Sequence, residues 1–418
     1  MDSLTRNSLY LSIEKGAHLL GGMVLLVGVA RILGEQGLAQ YAFVISFTAI
    51  FIPILDLGLN TRAIKLVGSG HPEGFSAVSD AVEFKFTLAG PILLAMLLGS
   101  VHVGNSSNYL AVLLVGSSTI AMSAGDAINS LFKGLSRSSL SALLVGSLNG
   151  ALLVLGIGTM LLGGGIVGVA GCYLLCRACY LGAGLAIARS MGLAISLRTR
   201  PKIQMSALLE GIRHLPSVYF VGFLFHITYI VLSLNMNEAE SSYVAIAYRI
   251  SAALFILFSS SFEAVLPAIS RVFHKGTDIR LTLVRGFTTL LVFSLLGVGL
   301  VQMLAYPAIS LVFGKDYAPA VEAVRLVSWT IPPLVLCGLA HTAFLAMDEE
   351  DRGSLWMLAM VLVCVAGTAL AVKLSGPPVA VMVPIAVAWL FAGAFWTTLL
   401  RIIRQCHSPV QEGSGDSI

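Results

Sequence analysis

One apolar stretch, residues 166–188, carries an arginine at its centre between two tyrosines. Arg177 follows Tyr173 by four residues and precedes Tyr180 by three, so a helix would place the three side chains on one face. A guanidinium at the centre of a bilayer costs about 2.5–3.5 kcal/mol on insertion scales. This face must therefore border protein or water instead of lipid. The trio predicts a polar interior within a membrane.

Further ionisable residues lie inside predicted spans. Arg249 is too deep to reach the bilayer surface cheaply, so we assign it to the same polar interior. Intramembrane carboxylates often titrate, and Asp56, Asp126 and Glu263 are candidates for binding a coupling proton or cation. Structural alternatives stay open: Asp126 can close a hydrogen-bond network with nearby serines, and Arg62 lies near a span end, where it can extend to the interface.

The sequence contains no motif for catalysis or metal binding. It lacks H-E-x-x-H, G-x-S-x-G and P-loop patterns, and its predicted loops are short. Cys172, Cys176 and Cys179 form C-x3-C-x2-C, but no second ligand group accompanies them, and thiols are ordinary apolar residues in helices. No basic face with interleaved aromatic residues indicates nucleic acid. We expect a protein that is not an enzyme and holds neither a cofactor nor a metal.

Composition identifies the elements that must position these residues. The chain is 57% hydrophobic and 11% charged, with a mean hydropathy of +0.91, which is typical of a polytopic membrane protein. Runs of about 20 apolar residues predict an all-α protein with about twelve transmembrane helices, the first of them retained and not a signal peptide. The predicted spans are 9–32, 41–65, 81–102, 109–132, 141–162, 166–189, 208–234, 243–267, 284–306, 321–346, 354–374 and 380–401.

Basic residues predict the orientation of the chain. With a cytoplasmic N-terminus, most of them, Lys85 and Lys133 included, fall on or near the cytoplasmic side, as the positive-inside rule requires. Both termini are then cytoplasmic. The exceptions are Arg31, Lys315, Arg325 and Lys373, which lie towards the other side, and Arg177 and Arg249, which lie inside the spans.

A polar break divides the predicted helices into six and six. The segment near Tyr41 weakly resembles the segment near Tyr243, at the corresponding point of each half, which favours a parallel repeat of two lobes. The predicted units are an N-terminal lobe at 1–190, a cytoplasmic linker at 191–207, a C-terminal lobe at 208–401 and a polar tail at 402–418, predicted to be disordered.

Two regions resemble a known family. Residues 7–62 contain VARILGEQGLAQYAF and ILDLGLNTR, and residues 306–346 contain YPAISLVFGKDYAPAVEAVRLVSW, leading into LAHTAFLAM. Both resemble Wzx-type oligosaccharide flippases of the multidrug/oligosaccharidyl-lipid/polysaccharide (MOP) superfamily. The matching residues are Arg31, Asp56 and Arg62 in the first region and Lys315 and Tyr317 in the second. Lys315 and Tyr317 fall in a predicted loop, where they can have a structural role instead of binding the substrate.

The resemblance implies a fold like that of multidrug-extrusion transporters, with a cationic cavity between the lobes. The implied activity is transfer of an undecaprenyl-diphosphate-linked oligosaccharide from the cytoplasmic to the periplasmic leaflet of the inner membrane. The implied oligosaccharide is an O-antigen unit of lipopolysaccharide or a repeat unit of another surface polysaccharide. Membrane lipids, a polysaccharide polymerase and assembly proteins are the implied partners, without nucleic acid. Substrate binding is assigned to Arg177, Arg249, Arg31, Tyr173, Tyr180 and Arg62.

Three alternatives remain at the level of sequence. A drug/cation antiporter of the same fold would carry fewer cavity cations and more cavity carboxylates. A lipid II flippase would be expected to have extra helices beyond twelve. A membrane-embedded glycan polymerase or ligase would need a larger outer loop than any predicted here.

Overall fold

The computed structural model describes residues 3–102, 109–192, 220, 222–274, 280–347 and 349–406. Within these ranges the chain is helical and contains no strand. Most of the predicted linker at 191–207 and the first part of the span at 208–234 lie outside the described residues, as does the end of the tail. The first group of helices is α1 (Ser3–Ala49), α2 (Ile52–Asp56), α3 (Leu59–Gly68), α4 (Gly74–His102), α5 (Tyr109–Gly134), α6 (Ser138–Leu161) and α7 (Gly165–Ser190).

The second group begins with the short apolar helix α8 (Gly222–Ser233). A single 3-10 turn, Lys315–Tyr317, separates α10 from α11. The remaining helices are α9 (Glu238–His274), α10 (Arg280–Val312), α11 (Ala320–Ser328), α12 (Ile331–Ala346), α13 (Glu350–Ser375), α14 (Pro377–Ala380) and α15 (Val383–Cys406).

The described helices agree with a count of about twelve spans. Ten helical segments are long and apolar enough to cross a membrane, and α8 is a shorter apolar helix. The first of the ten, Leu9–Asp56, contains the predicted span 9–32 and most of the predicted span 41–65. The two are separated by a break in α1 at Gly34, where φ is 70° and ψ is −167°. Only glycine adopts this backbone region without strain. We call residues 3–33 α1a and residues 35–49 α1b.

The second predicted span, 41–65, is not one helix. It is interrupted after α1b, where Pro53 lies in the first turn of α2, and again at Leu57 and Gly58, which have left-handed φ values of 42° and 73°. Asp56 ends α2 and Asn60 lies in the first turn of α3. The D-L-G-L-N segment thus forms a helix break that presents two polar side chains to the interior.

Packing divides the helices into two lobes. Helices α1–α7 contact one another, α9–α15 contact one another, and the main helix pair that joins the two groups is α1 with α9. Aromatic contacts attach α8 to α9, since the rings of Phe225 and Tyr248 lie 5.6 Å apart. We call α1–α7 the N lobe and α8–α15 the C lobe. Residues on α1 are therefore the ones placed to connect the lobes.

Candidate functional site

A cavity of about 280 Å³ lies between the two lobes. Both limbs of α1 form its N-lobe wall, and α8 and α9 form its C-lobe wall. Its lining is largely apolar and aromatic, with a few polar groups among them. His226 and Ser46 face each other across the lobes, with Nδ1 and Oγ 3.1 Å apart. The lining residues with a polar side-chain group are Tyr41, Ser46, His226, Tyr229, Tyr248, Arg249 and Ser259.

Arg249 is the cation of this cavity. It projects from α9 toward α1a so closely that a Cβ atom added to Gly22 would lie 2.8 Å from its Nη2 atom. No residue in the described part of the chain forms a hydrogen bond or an ion pair with its guanidinium. A charge within a membrane protein is normally compensated by an opposite charge, a backbone carbonyl or water. Arg249 therefore offers its donors to whatever occupies the cavity.

Arg177 lies behind the N-lobe wall of the cavity. Its Nη1 atom donates to Ser118 Oγ at 3.0 Å and to Thr119 Oγ1 at 3.4 Å, both on α5. Its Cζ atom lies 4.7 Å from the centre of the Tyr173 ring. The Tyr173 hydroxyl is 2.7 Å from that of Tyr41, which lines the cavity. Arg177 is thus connected to the cavity through two tyrosines instead of facing it.

The structure places Tyr173 and Tyr180 within the N lobe, and neither lines the inter-lobe cavity. Their side chains are buried, with exposed fractions of 5% and 4%. Tyr180 donates to Asp126 Oδ1 at 3.0 Å within the N lobe. The reason is that α7 packs along α5, whereas α1 forms the inter-lobe wall. Helical spacing correctly grouped the three side chains but could not show which neighbour they meet.

The two arginines nevertheless act on the same region. His18 on α1a lies within electrostatic range of both Arg177 and Arg249. Tyr41 on α1b also lies within electrostatic range of both arginines. Positive charge therefore converges on the inter-lobe region from both lobes, although only one guanidinium lines the cavity.

A buried ion pair in the N lobe was missed by sequence reasoning, which assigned Lys85 to the cytoplasmic side. The Lys85 side chain is fully buried, and its Nζ atom lies 3.1 Å from Asp56 Oδ1. It also donates to Asn60 Oδ1 at 2.8 Å and to the Ser123 carbonyl at 3.0 Å. The signal in the sequence was a lysine within an apolar run, with an aspartate at the end of another. We name these groups the Lys85 cluster.

The remaining predicted site residues lie elsewhere. Arg31 does not line the inter-lobe cavity: its Nε atom donates to the Val312 carbonyl at 2.7 Å, and its Nη2 atom donates to the Leu311 carbonyl. Arg62 is half-buried on α3 and is also absent from the cavity lining. Glu263 lies on α9, and its side chain is outside the described part of the structure.

Arg31 belongs to a set of contacts that join the lobes at the Gly34 end of α1. The Tyr317 hydroxyl donates to the Ala30 carbonyl at 3.0 Å, and Tyr243 donates to Glu35 Oε1 at 2.5 Å. Burial raises the pKa of Tyr317, so its phenol keeps the donated proton. A cation at the C-terminal carbonyls of α10 also matches the helix dipole. These contacts close the Gly34 end of the inter-lobe space.

We expect Arg31→Gln to loosen this closure. Arg31 is exposed, so loss of its hydrogen bonds costs about 1 kcal/mol, which shifts the population of a state open at this end by roughly 5-fold. The measurement is a spin-label distance distribution between Leu162→Cys and Leu374→Cys, with the native cysteines replaced. Arg325→Gln is the matched control, because Arg325 donates to the Gln302 carbonyl within its own lobe. An unchanged distribution in Arg31→Gln would contradict the closing role.

Comparison with known proteins agrees with this architecture. The sequence profile of the family described as "Polysaccharide biosynthesis protein" matches residues 4–273. Among solved structures, an inward-facing multidrug resistance MATE family transporter of the MOP superfamily is similar at a TM-score of 0.79 and 14% identity, covering 96% of this chain and 98% of that chain. An outward-facing MATE transporter of the MOP superfamily is similar at a TM-score of 0.68 and 15% identity, covering 97% and 96%.

A third structure, of MATE in the straight conformation, is similar at a TM-score of 0.67 and 15% identity, with 97% and 96% covered. No curated protein sequence matches the chain. The family match spans more than half of the chain, and the fold matches span nearly all of it. The chain therefore belongs to the polysaccharide biosynthesis protein family and has the fold of the MATE transporters of the MOP superfamily.

Proposed function

We propose that the protein is a flippase for a polyprenyl-diphosphate-linked oligosaccharide, undecaprenyl being the carrier that the resemblance implies. The observation that carries the proposal is Arg249, a cation in an inter-lobe cavity with no partner among the described residues. The polysaccharide biosynthesis family supplies the substrate class, and the MATE-like fold supplies alternating access between two lobes.

The chemistry of the cavity suits this cargo. Burying an unpaired hydroxyl costs about 4–8 kcal/mol against a hydrocarbon reference, and a diphosphate adds charge that lipid cannot accept. An oligosaccharide head therefore needs polar or charged partners where it crosses the membrane. Arginine donates paired, charge-assisted hydrogen bonds to phosphate oxygens. Aromatic side chains such as Tyr41, Tyr229 and Phe255, which line the same cavity, can stack on sugar faces.

Arg177 has an indirect role in this proposal. Its hydroxyl partners, Ser118 and Thr119, also donate to the Val115 carbonyl, so they do not need the guanidinium to be satisfied. The Arg177 guanidinium contacts two hydroxyls and the Tyr173 ring. Such contacts compensate a buried charge only weakly, so we do not assign Arg177 a stabilising role. We assign Arg177 to raising the positive potential around Tyr41, which favours entry of the anionic head.

Coupling to an ion gradient is a separate part of the proposal. Asp126 is a candidate for a coupling proton, since its carboxylate accepts a hydrogen bond from Tyr180, and Glu263 remains a second candidate. Asp56 is a weaker one, because its Oδ1 atom is already paired with Lys85. Flipping in proteoliposomes should respond to an imposed pH gradient, and indifference to the gradient would remove this part.

The proposed function is tested by a choice between two cargoes. The purified protein is reconstituted into vesicles that contain an undecaprenyl-diphosphate-linked oligosaccharide in the inner leaflet, and an added glycosidase measures its arrival outside. The same vesicles are tested for uptake of ethidium, a cationic drug probe. We expect glycan transfer above the protein-free rate and no ethidium uptake. Ethidium uptake without glycan transfer would favour the drug antiporter instead.

A further inference from the structure

The Lys85 cluster has the composition of a monovalent-cation site. Its ammonium meets a carboxylate oxygen of Asp56, an amide oxygen of Asn60 and the backbone carbonyl of Ser123, at 2.8–3.1 Å. An ammonium has three donors and no acceptor, so these three oxygens satisfy it completely. Carboxylate, amide and carbonyl oxygens are also the ligands that hard metal cations take from proteins.

The fold builds this arrangement from four separate elements. The break at Leu57 and Gly58 ends α2 at Asp56 and begins α3 before Asn60. Ser123 lies on α5, and Lys85 reaches in from α4. The Lys85 side chain is 0% exposed and that of Asp56 is 4% exposed. Bulk water therefore contributes little compensation to the Asp56 charge, and Lys85 supplies a cation to it within the lobe.

We propose that these oxygens form a monovalent-cation site whose resident occupant is the protein's own Lys85 ammonium. Asp56 is then neutralised at all times without a free ion, and the broken helix stays packed whatever the Na⁺ or K⁺ concentration. Removing the ammonium uncovers a site that a free Na⁺ or K⁺ can enter. The inference concerns the N lobe alone and does not depend on the cargo.

Lys85→Met tests the proposal, because methionine retains most of the lysine stem but leaves the ammonium position empty. Thermal unfolding of the purified full-length protein is measured in choline, Na⁺ and K⁺ chloride at equal ionic strength. For the wild-type protein we expect a Tm shift below about 1 °C between salts. For Lys85→Met we expect a low Tm in choline and a rise of about 3 °C or more in Na⁺ or K⁺.

Two control variants separate this site from general salt effects. Lys85→Met/Asp56→Asn lacks the anionic ligand, so its Tm should not depend on the cation. Lys133→Met removes the lysine of a second ion pair, in which Lys133 Nζ lies 2.8 Å from Glu14 Oε1 and is 30% exposed. Water can compensate Glu14 there, so we expect no response specific to Na⁺ or K⁺.

A larger deletion provides an independent measurement. Lys85→Ala removes the propylammonium part of the side chain, and added propylammonium should raise its Tm while tetramethylammonium does not. Failure of Na⁺, K⁺ and propylammonium to restore either variant would overturn the proposal. So would a Na⁺-dependent shift in the wild-type protein that Asp56→Asn removes, since a free ion would then already occupy the site.

Discussion

Arg249→Glu is expected to reduce glycan-lipid transfer to the rate of protein-free vesicles. The substitution replaces the cation of the inter-lobe cavity with an anion that repels a diphosphate. Disrupting a desolvated charge pair costs about 2–5 kcal/mol, which corresponds to a loss of at least about 30-fold. Because no described residue pairs with Arg249, the substitution breaks no ion pair among the described residues. The measurement is the initial transfer rate at equal reconstituted protein.

Arg352→Glu is the matched control for this charge change. Arg352 lies at the start of α13 in an exposed pair with Glu349, at 3.2 Å, and exposed pairs contribute little. Its variant should therefore transfer glycan at the wild-type rate. Retention of transfer by Arg249→Glu at equal protein level would refute the diphosphate role of Arg249. Equal losses in both variants would point to net charge instead of cavity charge.

Breaking the Asp56–Lys85 pair from one side is expected to give the largest loss of stability. Removing one partner of a buried ion pair takes away the opposite charge that stabilised the other partner, at a cost of about 3–5 kcal/mol. We expect this loss for Lys85→Met in choline chloride, and a comparable one for Asp56→Asn. The double variant should recover much of it, because a neutral pair of similar shape leaves no buried charge. Unfolding titrations in detergent measure the free energies in a double-mutant cycle.

The Glu14–Lys133 pair is the control for this cycle. Its side chains are 13% and 30% exposed, so water screens the charge that remains when one partner is removed. The coupling free energy of this pair should therefore be clearly smaller than that of Asp56–Lys85. Coupling free energies of similar size in the two cycles would show that burial does not determine how much the Asp56–Lys85 pair stabilises the protein.

In the described conformation, the inter-lobe space is closed at the Gly34 end of α1. The polar contacts from Arg31, Tyr317 and Tyr243 all lie at this end of α1. With the predicted cytoplasmic N-terminus, the Gly34 end would be periplasmic, and Arg249 would receive its ligand from the cytoplasmic side.

Composition and hydrophobic patterning were sufficient to predict the fold class and most of the helices. Hydrocarbon excludes unpaired backbone groups, so long apolar runs can only be helices, and most predicted spans agree with described ones within a few residues. The resemblance through VARILGEQGLAQYAF and FGKDYAPA led to the family that the profile confirms. The arginines within spans also indicated a polar interior. Each of these conclusions depends on local composition or on recognition of a segment.

The partners of the charged side chains could not be predicted without the folded structure. Arg177 and Arg249 look alike in the sequence, yet one contacts α5 of its own lobe and the other lines the inter-lobe cavity. Arg31 reaches the end of α10, about 280 residues along the chain, and Lys85 lies inside the N lobe instead of at the surface. A buried charge must be compensated, but the 3.6-residue period specifies only a face of one helix. The partner depends on how distant helices pack, which is a property of the folded chain.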